Sequence, residues 1–175
     1  MRGRLTFLES RRFFIVSLIL SIISLVPVFY PVLYLDSNPV YMVSYSDPGP
    51  VHVYIDVLDR YHIAYLPMLM VSIGLLALSL VALMDTQFIA LDYIFLFLIA
   101  YTASTVPVMR ILSVPLDKNM ITAVSGVIVT LSVNKIEYTW LFYLLKSSVL
   151  FSVGLFLSVA SGVYITLSRN DMVKT

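Results

Sequence analysis

Lys146 stands in the stretch YLLKSSVLFSVG (Tyr143–Gly154), inside what reads as one long apolar helix. An ammonium group in such a place forms a Schiff base, binds an anion, or stretches its alkyl stem toward water. A retinal-type Schiff base needs a larger bundle than the four spans read below, which leaves binding and snorkelling. If the helix enters the bilayer at about Thr139, Lys146 lies roughly two turns, about 10 Å, below the outer boundary. In the preceding apolar run stand Tyr101, Thr102, Ser104 and Thr105, with Arg110 just beyond them. A basic, hydroxyl-lined site built from Lys146, Arg110 and these four side chains would take an anionic lipid head group or a carboxylate from a partner.

The other embedded charge is Asp92, about one turn inside the opposite boundary. It is too far along the bilayer normal to pair with Lys146, and a carboxylate near a helix N-terminus is favoured there without any proton relay. The two histidines, His52 and His62, lie outside the apolar runs. His52 and Asp56 would share a strand face, with Asp59 and His62 close behind. These four are the only candidates for a zinc or copper site, but their spacing matches no metal motif, so no metal is expected. No histidine lies within a span to ligate haem. Cysteine is absent, which removes disulfides, thiolate metal sites and thiol catalysis. The sequence holds no phosphate-binding, dinucleotide, nucleophile-elbow or zinc-protease motif. The expectation is a protein without cofactor and without catalytic activity.

What must position these residues is a membrane bundle. The 175-residue chain is 60% hydrophobic and 12% charged, about half the charged fraction of a soluble domain. Its net charge of +1 gives nucleic acid nothing to bind. Crossing a bilayer takes about 20 helical residues, and four runs qualify: Phe13–Leu35, Ile63–Met84, Phe88–Met109 and Trp140–Leu167. The first is too long for a signal peptide core and no cleavage-type sequence follows it. Arg2, Arg4, Arg11 and Arg12 precede the first run, and Arg169 and Lys174 follow the last. By the positive-inside rule both ends (1–12 and 168–175) are cytoplasmic. The second and third spans are then joined by a cytoplasmic turn, Asp85-Thr86-Gln87, and residues 36–62 and 110–139 fall outside.

Both outer connections read as β-hairpins. In the first, PVYMVSYS leads to the turn Asp47-Pro48-Gly49-Pro50, and VHVYIDV then alternates with Val51, Val53, Ile55 and Val57 on one face. In the second, ITAV and a Ser125-Gly126 turn precede VIVTLSV. An isolated hairpin is marginal, so the expectation is one small extracytoplasmic sheet built from both connections. Four spans, cytoplasmic ends and β-structure in both outer connections resemble the claudin-like layout in outline. The family's Trp-Gly-Leu-Trp and paired-Cys signature is absent, so the likeness covers layout alone and carries over no residue and no function.

Small residues mark the helix contacts. Gly154, Ser158 and Gly162 repeat every four residues in the fourth run, a ridge that lets helix backbones approach closely. Ser17, Ser21 and Ser24 share a face of the first, where hydroxyls bond to the helix backbone or across to a neighbour. Pro27, Pro31, Pro67 and Pro107 all fall in the outer halves, where they either loosen the helices or mark their ends. The reading is a multi-pass protein of the cell membrane: a non-catalytic structural or accessory subunit that packs against other membrane subunits, further copies of itself and lipid. The alternative is a transporter or channel component with its site near Lys146 and Arg110.

Overall fold

The computed structural model describes residues 2–43, 55–84, 90–116, 119–124, 127–132 and 134–173. The chain is mostly helical. In order it forms α1 (Arg2–Phe29), β1 (Leu33–Leu35), β2 (Asn38–Val40), α2 (Ile55–Met84), α3 (Ala90–Ser113), β3 (Asn119–Val124), β4 (Val127–Ser132), β5 (Ile136–Tyr138), α4 (Trp140–Lys146) and α5 (Val149–Val173). Four helical segments are long and apolar enough to cross a membrane: Arg12–Phe29, Arg60–Met84, Asp92–Ser113 and Val149–Leu167.

The chain divides into two compact units, and α1, α2 and α3 each contribute to both. In these three helices the division falls within two residues of Pro27, Pro67 and Pro107, and the fourth division follows Ser148. Pro67 and Pro107 lie inside continuous helices, so they do not mark helix ends.

The first unit comprises the segments up to Leu25, from Met68 to Thr105, and from Val149 onward. Its apolar core includes Phe14, Leu20, Leu75, Ile94, Leu98 and Leu157. Ser17, Ser21, Ser24, Ser72, Ser79, Ser158 and Ser161 are buried beside them, while Ile15, Ile19, Ile22, Met70, Ile73, Leu96, Phe156 and Val159 face outward. Hydroxyls inside and large aliphatics outside invert the arrangement of a soluble protein. It is the stable one where the surroundings are hydrocarbon and helix contacts rest on small residues and internal hydrogen bonds.

The second unit takes Val26–Pro67 and Val106–Ser148. It holds a three-stranded antiparallel sheet, ordered β2-β1-β5, and a separate hairpin of β3 and β4. β1 and β2 reverse through Asp36 and Ser37, whose φ angles of 46° and 73° are the left-handed pair a two-residue hairpin turn demands. Val32, Leu33 and Leu35 are fully buried. Asp36 ties the turn to a segment almost a hundred residues later. Its carboxylate accepts from the N–H groups of Lys135 (2.8 Å) and Asn134 (3.2 Å), and its own N–H donates to the Lys135 carbonyl at 3.0 Å. Thr139 closes the other end, with its N–H donating to the Val32 carbonyl at 3.1 Å and its hydroxyl at 2.7 Å to the same oxygen.

Three expectations need correcting. The first apolar run does not stay helical to Leu35: α1 ends at Phe29, and Leu33–Leu35 is the middle strand of the sheet. A proline at residue 31 removes a helical donor, and the β-branched and aromatic residues around it suit a strand. In the first connection, Ile55, Asp56 and Val57 begin α2 instead of ending a strand; Pro48 and Pro50 and the rest of that turn lie outside the described residues. The alternating pattern there was short, and a helix of 30 residues outweighs it. Finally, the sheet does join both connections, but through β1, β2 and β5, while β3 and β4, on either side of Ser125-Gly126, form a separate two-stranded sheet among the described residues.

The Asp36 linkage yields a prediction. Asp36→Ala should destabilise the protein by about 2 kcal/mol, through loss of two charge-assisted hydrogen bonds. Ser37→Gly should stabilise it by roughly 0.5–1 kcal/mol by relieving the left-handed backbone. Thermal unfolding in detergent checks both signs.

Candidate functional site

The fourth apolar run is not one helix. α4 stops at Lys146, Ser147 turns extended (φ −67°, ψ 146°), and α5 starts at Val149. The Ser147 N–H still donates to the Tyr143 carbonyl at 2.9 Å, and its hydroxyl donates to the Leu144 carbonyl at 2.7 Å. These bonds satisfy the end of α4, and a serine pair is a recognised place for a helix to break. Val149–Leu167 is by itself about 28 Å of helix, enough to span a hydrocarbon core. Lys146 therefore ends α4, ahead of the Val149–Leu167 segment, and does not share one continuous helix with it. It is exposed, ends α4 where a cation favours the helix dipole, and its ammonium lies 5.7 Å from the centre of the Phe142 ring.

Arg110 is likewise exposed, in the last turn of α3, and belongs to the same unit as Lys146. The four hydroxyl residues read as lining their site belong to the other unit, and their hydroxyls are engaged there. Thr102 donates to the Leu98 carbonyl, Ser104 to Tyr101 and Thr105 to Thr102, each at 2.8 Å. The Tyr101 hydroxyl meets Ser24 Oγ at 2.8 Å. Each thus completes the hydrogen bonding of its own helix or of a neighbour, as groups without water must.

Those contacts make α3 the hub of the first unit. The α1 face is buried as its spacing suggests: Ser21 donates to the Ser17 carbonyl at 2.6 Å, and Ser24 can donate to Leu20 at 2.7 Å or pair with Tyr101. On α5, a Cβ at Gly154 would lie 2.8 Å from Thr102 Oγ1 and 3.2 Å from the Tyr101 ring. A Cβ at Gly162 would lie 2.9 Å from the Phe95 ring, and the intervening Ser158 is buried, its hydroxyl donating to the Gly154 carbonyl at 2.8 Å. The small-residue ridge is therefore a seat for α3 of the same chain. The sequence reading missed a third seat: a Cβ at Gly74 of α2 would lie 2.5 Å from Phe97. The available signal was a lone glycine in a long apolar helix, which costs about 1 kcal/mol unless close packing requires it.

Asp92 is half-buried in the first turn of α3, at the favourable end of the helix dipole. It sits at one end of an open groove of about 880 Å³ between α3 and α5, walled by Phe95, Ile99, Val159 and Thr166. Of the weak metal candidates, His52 lies outside the described residues. Asp56, Asp59 and His62 fall in α2, which undoes the strand-face reading. Among the described residues no three His, Cys, Asp or Glu side chains gather. The ion pair of Lys135 with Glu137 is exposed; its hydrogen bond to Glu137 holds the lysine above its ordinary pKa, and a surface pair of this kind adds little stability.

By length and hydropathy these helices fit a multi-pass membrane protein. Comparison with protein-family models, with curated proteins and with solved structures found no match.

The packing makes a graded prediction. Gly154→Leu should destabilise by about 1–3 kcal/mol, the range for overpacking, because Thr102 and Tyr101 already fill the space. Ser24→Ala should cost only about 0.6 kcal/mol, since interhelical hydrogen bonds in membranes are modest. Unfolding of the two variants in the same detergent checks the order.

Proposed function

We propose that the protein is a non-catalytic integral membrane protein, a small structural or accessory subunit of a larger membrane assembly. In this reading its sheet is extracytoplasmic, its two ends are cytoplasmic by the positive-inside rule, and its layout is claudin-like in outline only. The observation that carries it is the exposed aromatic cluster at β5 and α4. Tyr138, Trp140 and Tyr143 are all exposed. Tyr138 stacks on Phe142 at 4.2 Å between ring centres, Tyr143 meets Phe142 edge-on at 5.7 Å, and Trp140 leans on Tyr30 at 5.7 Å. Rings held against one another and still open are the residues that dominate protein contacts.

The same unit argues against bare strand pairing as the mode of contact. In the sheet order β2-β1-β5, one outer strand carries Pro39, which has no N–H to offer. The other, β5, carries Glu137 and is preceded by its ion-pair partner Lys135. Both are devices that discourage edge-to-edge addition. A partner would meet the rings and not the strand edges. Among the described residues, the hydroxyls inside the spans serve this chain's own packing.

A second reading has one observation of its own. Discontinuous helices often border transport sites, and the break after Lys146 is of that kind. Lys146 and Arg110 would then hold an anion in a transporter or channel component.

Two variants separate these readings. Trp140→Ala with Tyr143→Ala should insert and unfold like the parent but lose the proteins that co-purify in mild detergent, as read by mass spectrometry. A parent protein that elutes alone as a monomer contradicts the subunit reading. Lys146→Ala should leave assembly intact, and loss of anion flux or binding in reconstituted vesicles would move the assignment to transport.

A further inference from the structure

α5 has a groove on each flank, and the two differ in charge. The groove toward α3 ends at Asp92. The groove toward α1, of about 540 Å³, ends at Arg12. Its walls are Phe13 and Val16 on one side and Leu157, Ala160 and Tyr164 on the other, all within the first unit. Ala160 is the small residue that leaves the space open. Phe13 and Tyr164 line the groove with Arg12, their ring centres 6.2 Å apart.

Position and length restrict what fits. Arg12 begins the apolar span of α1 and Leu167 ends that of α5, so the charged end lies at the span boundary. The α5 wall runs from Leu167 back to Leu157, about 15 Å, half the thickness of a roughly 30 Å hydrocarbon core. A slot with a guanidinium at the boundary and apolar walls to mid-depth has the dimensions of one leaflet's acyl chain. An apolar helix laid in it would press Arg12 into low dielectric, which is costly. A phospholipid brings its own phosphate to the guanidinium, in the bidentate geometry arginine favours. The tyrosine at the same level is typical of the membrane–water interface.

We propose that the α1–α5 groove binds one anionic phospholipid, its phosphate on Arg12 and one acyl chain along Val16, Leu157 and Ala160. The groove toward α3, which has the Asp92 carboxylate in place of a guanidinium, serves as the internal control. The site does not depend on the subunit reading above.

The experiment is native mass spectrometry of the detergent-solubilised protein titrated with phosphatidylglycerol and, separately, with phosphatidylcholine. One saturable phosphatidylglycerol adduct is expected, favoured over phosphatidylcholine. Arg12→Gln should weaken it about tenfold, as loss of a charge-assisted pair implies, and Arg12→Lys should keep part of it. Ala160→Phe should block it by filling the slot, and Asp92→Asn should leave it intact. Arg12 is exposed, so its variants are expected to fold, and their unfolding temperatures in lipid-free detergent confirm this. Equal binding of both lipids, an Arg12→Gln variant that binds as the parent does, displacement by millimolar inorganic phosphate, or a second copy of the chain in place of lipid would each overturn the proposal.

Discussion

Hydrocarbon offers no hydrogen bonds, and the arrangement of polar groups in this chain follows from that. In the first unit the buried serines and threonines largely bond back to their own helices, as Ser21 does to Ser17, Thr102 to Leu98 and Ser158 to Gly154. Many large apolar side chains, among them Ile19, Ile73, Leu96, Phe156 and Val159, are turned outward. Among the described residues, the hydroxyls of Ser17, Ser79 and Ser161 are buried without a hydrogen-bond partner, a cost that a membrane bundle carries only a few times. Since burial of apolar surface cannot hold helices together in lipid, close approach must. α3 supplies the bulk, with Phe95, Phe97, Tyr101 and Thr102, and α2 and α5 supply glycines to receive it.

The second unit obeys the opposite economy. Its sheet is short, and what holds it is directional: Asp36 gripping the backbone at Asn134 and Lys135, and Thr139 gripping that of Val32. These contacts join segments about a hundred residues apart. The prolines near the division of the two units fall in α1, α2 and α3, and the break at Ser147 takes their place in the last helical stretch. In three helices a proline lacks a backbone donor near the division while the helix runs on; only the fourth stretch breaks, where serine bonds compete with the helix.

The spans were legible in the sequence because length and apolarity are local properties. The four runs correspond to four long helices, and the Gly154–Ser158–Gly162 spacing pointed to a helix contact. The choice between an internal and an external contact was not legible, because it depends on which aromatic side chains of α3 lie opposite. Leu33–Leu35 was misread because a short buried strand looks like the end of an apolar helix, and what makes it a strand is its pairing with Ile136–Tyr138. The break after Lys146 was not legible. The depth of the lysine was counted along a continuous helix, and a serine pair with helical neighbours gives little warning that the count should restart at Val149. Arg12 was noticed only as an orientation signal, since its groove requires knowing that α1 lies beside α5.

The central claim is that four helices cross a membrane and that the fourth crossing starts only after the break. The absence of cysteine makes the direct measurement clean. Single cysteines are placed along residues 140–170 and at both ends, and labelled in intact cells with a thiol reagent that cannot cross the membrane. The account predicts labelling at position 146, protection from 149 to 167, and no labelling at either end until the membrane is opened. Protection that extends unbroken through position 146 to 140, or two ends labelled from opposite sides, would contradict it.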